Sequence, residues 1–394
     1  MSKVWLILTI VLLGVLQFLD AGLYTYITYN LDVNGFYLGL LSAIWSLVYI
    51  ISNHLLSKLA DSGRNKLLLL ISSASLLLTY ICFRSIDELS GVVAYSLHAL
   101  AVANLNLSLS ITILEIYDYF NWNSINSLTR VLTSLARGSA FLIVALRITD
   151  ISMVLLTTIL LSLLSLALTP RIGLNIERKL FKISKDISGI GKYVKASSAL
   201  LYLHKPREAL EYFEKVWSDS NVLKPWRMLI SASLYTMFGD VILVILPLYL
   251  KGSVGLSDLW FSWGVALLFT SFIIVPIVAR LMSGGEGVNT KLIGITILVR
   301  GFILVSLFSL VNYTPNLIIY LLLVVSISSI ADTLMYNKFV EISSGYGVSS
   351  YFILREVGSI VGSLVGGLIY TFIPGSITVV TIGLAILSAI LLIP

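Results

Sequence analysis

The chain has 394 residues, of which 58% are hydrophobic and 12% are charged, against about 25% charged in a typical soluble domain. A single cysteine, Cys82, excludes an intrachain disulfide and a metal site built from several thiolates, and the three histidines cannot supply a histidine-rich metal site. The net charge of +6 is carried mostly between apolar stretches, so it indicates loops at a membrane surface rather than binding to nucleic acid.

Apolar segments long enough to cross a bilayer recur along the whole chain, since about 20 apolar residues suffice for one crossing. The first six predicted spans cover 4–28, 35–57, 66–83, 90–114, 127–147 and 151–169. The second six cover 227–250, 256–281, 290–311, 316–339, 347–371 and 375–393. The first span is too long for a cleavable signal peptide and has no small-residue cleavage site. The sequence therefore predicts an all-α integral membrane protein with about 12 transmembrane helices.

The positions of the basic residues predict the orientation of these helices, because cytoplasmic loops are enriched in Lys and Arg. If both termini are cytoplasmic, most of the 26 Lys and Arg residues fall in inner loops, and only Arg84, Arg147 and Lys251 fall outside. We therefore expect a multi-pass protein of the cell (plasma) membrane with cytoplasmic N- and C-termini.

Two motifs recur about 220 residues apart, which indicates an internal repeat. Phe18 and Asp20 in the first span correspond to Phe238 and Asp240 in the seventh. The pair Glu115 and Arg130 corresponds to Glu341 and Arg355. The predicted organisation is an N-terminal six-helix half (1–169), a basic cytoplasmic linker (170–226) and a C-terminal six-helix half (227–394), as in some internally duplicated transporters. The linker either only enforces topology or has a regulatory, partner-binding role.

Polar side chains inside the spans are the candidates for function. A charge at mid-helix costs roughly 2.5–3.5 kcal/mol on insertion scales, so it needs a partner, a cavity or a function. The predicted substrate and proton pathway comprises Asp20, His98, Asn104, Asn106, Arg137, Asp240, Trp263, Asp332 and Glu356. No loop carries a concentrated set of catalytic groups, so no catalytic residues, cofactor or metal site are predicted.

Several of these residues have two interpretations. Asp20 and Asp240 occupy equivalent positions and are either proton carriers or cation ligands, or members of structural ion pairs. Arg137 either neutralises Asp20 or binds an anionic substrate. His98 is either functional or a hydrogen-bonded packing residue, and Trp263 either stacks on a substrate or packs against a helix. Arg300, in the ninth span, is interpreted either as a member of a buried ion pair or as a side chain that snorkels to the membrane surface.

A further pattern concerns the contacts between helices. Gly358, Gly362 and Gly366 lie four residues apart in the eleventh span, a spacing that lets helices approach closely in lipid. These glycines either pack tightly or allow sliding.

The segment joining the second and third spans resembles the signature loop of the major facilitator superfamily. Leu59, Asp61, Gly63, Arg64 and Lys66 match that loop, whereas Ser57 replaces its leading glycine and one arginine is missing. The counterpart at 280–285 has lost the acidic residue. The resemblance implies two pseudo-symmetric halves that rock about a central cavity lined by spans 1, 4, 7 and 10, in a monomer. It also implies a cytoplasmic gate of ion pairs, formed here by Asp61, Arg64, Glu115, Arg130, Glu341 and Arg355.

The function predicted from these features is secondary active transport of a small solute by alternating access, coupled to protons, with export of an organic compound preferred. Uptake of a sugar or an organic anion, or export of a metal ion, are the alternatives within this class. A polytopic membrane enzyme and a transport-dead receptor or scaffold are the alternatives outside it. The chain has no G-x-x-x-x-G-K-S/T loop, which argues against ATP-driven transport. The expected partners are therefore the lipid bilayer, a small-molecule solute and protons.

Overall fold

The computed structural model describes residues 2–116, 122–170, 223–277, 289–311, 313–343 and 348–393. Most of the linker and the loop at 280–285 lie outside these residues. The first half contains α1 (Ser2–Asn30), α2 (Gly35–Asp61), α3 (Asn65–Phe83), α4 (Glu88–Ile116), α5 (Trp122–Ala145) and α6 (Ile151–Leu168). The second half contains α7 (Pro225–Leu243), α8 (Leu256–Phe269), α9 (Thr290–Val305), α10 (Thr314–Ser343), α11 (Val348–Phe372) and α12 (Ile377–Ile390).

Four short elements complete these helices. Leu246–Leu250 extends α7, the π-helical turn Thr270–Ile274 extends α8, Leu307–Leu310 follows α9 and the 3₁₀ turn Pro374–Ser376 precedes α12. In the described residues, ten helices are long and apolar enough to cross a membrane, and two shorter apolar helices contain Val131–Ala145 and Pro374–Ile390. A helix satisfies its own backbone polar groups, which is what a lipid environment requires. The prediction of an all-α protein with about 12 membrane helices is confirmed.

The loop between α2 and α3 shows why its glycine is needed. Gly63 has a φ of 73°, a left-handed conformation that glycine adopts without a steric penalty. The N–H of Gly63 donates to Ala60 O (2.9 Å), and the N–H of Arg64 donates to Leu59 O (3.1 Å). This is a Schellman motif, which caps the C-terminus of α2 and reverses the chain into α3.

The two halves repeat the same helix contacts. In the first half, α1 packs against α4, α5 and α6, while α2 and α3 both contact α4, and α3 contacts α6. In the second half, α7 packs against α10, α11 and α12, while α8 and α9 both contact α10, and α9 contacts α12. Buried apolar residues form one core centred on each half. The exposed sides of α3, α6, α9 and α12 carry large apolar residues such as Leu77, Leu160, Phe302 and Val379, as expected for helices facing lipid.

The most extensive packing between the halves is that of α2 on α11 and of α5 on α8. We call the side of the bundle with the chain ends the terminal face and the opposite side the distal face. At the distal face, Tyr24 OH donates to Val244 O (2.8 Å), Lys251 Nζ donates to Leu31 O (2.9 Å) and Trp260 Nε1 donates to Thr25 Oγ1 (2.7 Å).

Further hydrogen bonds between α2 and α11 extend from the distal face to the middle of the bundle. Thr371 Oγ1 accepts from the N–H of Phe36 (3.0 Å), and deeper in the bundle Ser42 Oγ lies 2.9 Å from Ser363 Oγ. These hydrogen bonds between the halves lie at the distal face and in the middle of the bundle. The conformation is therefore closed at the distal face.

Helix α11 presents small residues on two sides. Gly358, Gly362 and Gly366 lie against the backbone of α7, in the same half, so the predicted close packing is what the structure shows. On another side, Gly367 contacts the backbone of α2 at Gly35. The three glycines at 358–366 therefore hold α11 within its own half and are not a surface between the halves.

Gly362→Ala is expected to destabilise the protein by about 1–3 kcal/mol, because the added Cβ would meet the carbonyl of Met237 on α7 and the backbone cannot move aside freely. Thermal unfolding in detergent measures this effect. Gly383→Ala in α12 is the matched control, since nothing lies within 4 Å of a Cβ at that position. Equal unfolding temperatures for the two variants would contradict the proposed packing role.

Candidate functional site

The middle of the first half carries a carboxylate held by a tyrosine. Asp20 on α1 is half-buried, and its Oδ1 accepts a hydrogen bond from Tyr95 OH of α4 (2.8 Å). Arg137 on α5 lies within electrostatic range of both Asp20 and Tyr95. Arg137 nevertheless forms no ion pair with Asp20, and its buried Nε has no hydrogen-bond partner. The predicted neutralisation of Asp20 by Arg137 therefore does not take the form of direct contact in this conformation.

His98 is buried, and both of its ring nitrogens have partners. Its Nε2 lies 3.0 Å from Leu16 O, and its Nδ1 accepts from Trp45 Nε1 (3.4 Å). This pattern fits a neutral imidazole that carries its proton on Nε2. The rings of Trp45 and Tyr49 stack at 5.4 Å, and those of Tyr95 and His98 stack at 6.3 Å. Of the two interpretations of His98, the structure favours a hydrogen-bonded packing residue beside the Asp20 site.

The second half contributes two carboxylates on neighbouring helices. Asp240 on α7 is close enough to the hydroxyl of Ser359 on α11 to interact with it. Glu356, one turn from Ser359, interacts in the same way with Ser46 of α2, which belongs to the other half. Ser46 Oγ also donates to Ser359 Oγ (3.3 Å). Asp240 and Glu356 thus meet the first half through two serines rather than through cations.

Asp20, Asp240 and Glu356 lie close enough together for their charges to interact. None of the three is within 4.0 Å of a basic side chain in the part of the chain that the structure describes. All three are half-buried rather than buried. The structure therefore brings three predicted pathway carboxylates together at the junction of the halves, without ion-pair partners.

The other predicted pathway residues lie in different surroundings. Asp332 on α10 pairs with Arg355 Nη2 at 2.8 Å. Asn106 Nδ2 donates to Tyr49 OH (3.3 Å), which places it beside the aromatic pair of α2. Asn104 is fully buried and donates to Leu100 O of its own helix (2.8 Å). Trp263 of α8 stacks on Phe141 of α5 with the ring centroids 6.4 Å apart, so it packs across the two halves.

The predicted cytoplasmic gate is only partly visible. Arg64 is exposed in the loop after α2, and the side chains of Asp61, Glu115 and Arg130 lie outside the described residues. Glu341 pairs with Lys338, one turn away on α10, at 2.8 Å, and Arg355 pairs with Asp332. In this conformation Glu341 and Arg355 therefore form ion pairs within their own half, and a gate across the halves stays a prediction.

Arg300 was the charge in α9 that the sequence left without a clear partner. It is 6% exposed, and its guanidinium lies over the ring of Tyr235 on α7, 4.1 Å from the centroid. Its Nε donates to Ser328 Oγ and its Nη1 donates to Tyr235 O, each at 2.8 Å. Gly239 leaves the space that the guanidinium needs, since a Cβ there would lie 3.0 Å from its Cζ. Arg300 therefore points into the second half and lies within electrostatic range of Asp240.

Arg300→Met is expected to lower the free energy of unfolding by about 2–4 kcal/mol, because two hydrogen bonds from a charged group and a cation–π contact are lost. Chemical or thermal unfolding in detergent measures the change. Lys291→Met, at an exposed position of the same helix, is the control and should change little. If both variants unfold alike, Arg300 does not stabilise this half.

The sequence did not single out Tyr95, Ser46, Ser359 or Trp45. Serine and tyrosine are common in membrane helices, where serine bonds back to its own helix, so their presence carries little signal. One signal was available, because Tyr95 and His98 lie three residues apart and so share a face of α4. The contact of Ser46 with Ser359 could not be predicted without knowing that α2 packs on α11.

No protein-family model matches this sequence, and no curated protein sequence matches it either. Solved structures do match its fold. A variant of the peptide transporter POT in complex with sulfate aligns with a TM-score of 0.70 at 13% identity, over 99% of this chain and 93% of that one. The unmodified peptide transporter POT in complex with sulfate gives 0.66 at 14% identity, over 98% and 92%.

A POT family transporter in complex with 5-aminolevulinic acid gives a TM-score of 0.62 at 14% identity, over 98% of this chain and 94% of that chain. POT transporters belong to the major facilitator superfamily. The fold of this chain is therefore the twelve-helix fold of that superfamily.

Proposed function

We propose that the protein is a secondary active transporter that moves a small organic solute across the membrane by alternating access. The observation that carries this proposal is the group of carboxylates without ion-pair partners among the described residues, Asp20, Asp240 and Glu356, at the junction of two halves that are closed at the distal face. A charged group without a partner at this depth needs a cavity or a function. In an alternating-access transporter the junction of the two halves is a cavity that opens to one side of the membrane at a time, and charged residues there bind the transported species.

The proposed orientation places both termini in the cytoplasm of a cell whose plasma membrane holds the protein, as the basic loops indicate. With that orientation the distal face is extracellular, and we assign the closure at that face to an inward-facing state. The ion pairs of the proposed cytoplasmic gate would then form only in the opposite, outward-facing state. One chain supplies both halves of the site, so the proposal requires no oligomer.

Protons are the proposed coupling ion. A carboxylate at the junction can bind a proton when its surroundings are dry and release it when they become wet, because burial penalises the charged form. No group of three or more His, Cys, Asp and Glu side chains within the described residues is arranged to hold a metal ion. We therefore favour an organic solute over a metal ion. The solved neighbours that bind a conjugated peptide or 5-aminolevulinic acid support a small organic solute for this chain as well.

For the direction of transport, we propose export of an organic compound in preference to uptake. The alternatives of a polytopic enzyme or a transport-dead receptor gain no support from the site, which holds unpaired charges at mid-membrane and is not a surface cluster of catalytic groups.

The test is flux in liposomes of known orientation. The purified protein is reconstituted, a proton gradient of either sign is imposed, and a panel of organic anions, amines, peptides and sugars is followed with and without a protonophore. Gradient-dependent movement of one solute class, absent from protein-free liposomes, supports the proposal, and the sign of the gradient gives the direction. If no solute moves in either direction, the transporter proposal fails.

A further inference from the structure

Three interior arginines occupy the described bundle, and Arg137 differs from the other two. Arg300 donates to Ser328 and to Tyr235 O, and Arg355 pairs with Asp332. Each of these guanidinium groups therefore has a protein partner at hydrogen-bonding distance. Arg137 has none within the described residues, even for its buried Nε.

Asp20 is a carboxylate within electrostatic range of Arg137, but it is already bound to a different residue. Its Oδ1 accepts from Tyr95 OH at 2.8 Å. Asp20 lies within electrostatic range of Arg137 but not within the 4.0 Å of an ion pair. The N–H of the buried Arg137 Nε lacks an acceptor within the described residues, and a buried donor without an acceptor costs free energy. Arg137 is therefore a cation without an ion-pair partner among the described side chains.

The turn of α5 that follows Arg137 is apolar and packs against both halves. One turn along α5, Phe141 packs edge-on against Phe18 of α1 at 4.8 Å and stacks on Trp263 of α8 at 6.4 Å. Gly138, the next residue, lies against Leu268 of α8. Phe141 is fully buried and belongs to this packing, whereas Arg137 and Trp263 are each half-buried. One orienting charge among apolar side chains is the usual composition of a small-molecule site.

We propose that Arg137 is the anion-binding residue of the transport site, and that the solute carries a carboxylate beside an apolar body. This inference rests on the proposed transport function and specifies its substrate class. A carboxylate matches the guanidinium because two parallel N–H···O bonds can form between the two planar groups. The apolar body would lie against the half-buried Trp263, while Asp20 stays bound to Tyr95.

The experiment measures equilibrium binding to the purified full-length chain, with no gradient. The probes are pairs that differ only in charge: butanoate and butanamide, 3-phenylpropanoate and 3-phenylpropanamide. Binding is followed by ligand-induced thermal stabilisation and by tryptophan fluorescence. We expect at least one carboxylate to bind about 10- to 100-fold more tightly than its amide, the range that a charged hydrogen bond supplies.

Arg137→Met should remove this preference for the carboxylate, and Arg137→Lys should restore part of it, because lysine keeps the charge but not the planar fork. Arg84→Met, at an exposed position outside the bundle interior, should leave the preference unchanged. If Arg137→Met fails to fold, Arg137→Lys still tests the proposal through a weakened preference. Equal binding of acid and amide by the wild type, or an unchanged preference in Arg137→Lys and Arg137→Met, would overturn it.

These outcomes are separate from those of the flux assay. Carboxylate binding through Arg137 without any flux would reject transport and leave the anion site standing. Flux of solutes that lack an anionic group, with no carboxylate preference, would reject the anion site and leave transport standing.

Discussion

Replacing Asp240 with asparagine is expected to abolish proton-driven accumulation of the solute while solute exchange across the membrane continues. Asparagine has nearly the shape of a protonated carboxyl group and can still interact with Ser359, but it cannot gain or lose a proton. Asp240 lies within electrostatic range of Asp20 and of Arg300 and Arg355, and it has no ion-pair partner among the described residues. The substitution should therefore uncouple the gradient from transport without disturbing packing.

Proteoliposomes loaded with the solute identified by the flux panel provide the measurement. Accumulation driven by a proton gradient should fall to the protein-free background, while exchange of labelled for unlabelled solute should stay within about threefold of wild type, a change below 1 kcal/mol in barrier height. Asp258→Asn is the matched control, because Asp258 lies in the first turn of α8 near the distal face and interacts with Thr314. Normal accumulation by Asp240→Asn would assign coupling to another group, with Asp20 and Glu356 next to be tested.

The number of helices and their approximate bounds could be predicted from the sequence because each span has a strong apolar signal of nearly fixed length. The predicted helix bounds differed most from the structure at the helix ends. The predicted fifth span began at residue 127, whereas α5 begins at Trp122, and the tenth span ended at residue 339, whereas α10 extends to Ser343. Polar residues at these helix ends reach into the interface with water, where hydropathy no longer distinguishes a helix from a loop.

Residues of the candidate site could be predicted where a charged residue interrupts an apolar helix. Their partners on other helices could not be predicted. Asp20, Asp240 and Glu356 were identified because carboxylates inside apolar spans are rare, and the structure brings them together. The pairing of Asp332 with Arg355 joins α10 to α11, and the sequence assigned these two residues to different roles. A salt bridge between helices depends on rotation and register, which hydropathy does not specify.

Arg300 illustrates the same limit in a different way. One side of α9 exposes large apolar residues such as Phe302 and Ile295, as expected for a helix that faces lipid. Arg300 lies on the opposite side of this helix, over Tyr235. The helix therefore does face lipid, but one of its residues stabilises the interior of the second half.

The two halves can also be held closed covalently, and this is expected to stop transport. Ser42 Oγ of α2 and Ser363 Oγ of α11 lie 2.9 Å apart across the junction, close enough for a disulfide after substitution of both by cysteine with small adjustments. Cys82 is the single native cysteine, so Cys82→Ser provides a clean background. Oxidation of Ser42→Cys with Ser363→Cys should reduce solute exchange at least about tenfold, because alternating access requires the distal ends of α2 and α11 to separate.

A disulfide within one half provides the matched control. Ser73 Oγ of α3 and Ser162 Oγ of α6 lie 2.6 Å apart, and both helices belong to the first half. Oxidation of Ser73→Cys with Ser162→Cys should leave exchange unchanged, since each half moves as a body. Reduction should restore exchange in the Ser42–Ser363 variant, which separates the crosslink from damage by the oxidant. Full exchange through a protein shown by gel shift to be crosslinked between Ser42→Cys and Ser363→Cys would mean that the halves do not rock at this contact, and solute would then have to pass without opening the distal face.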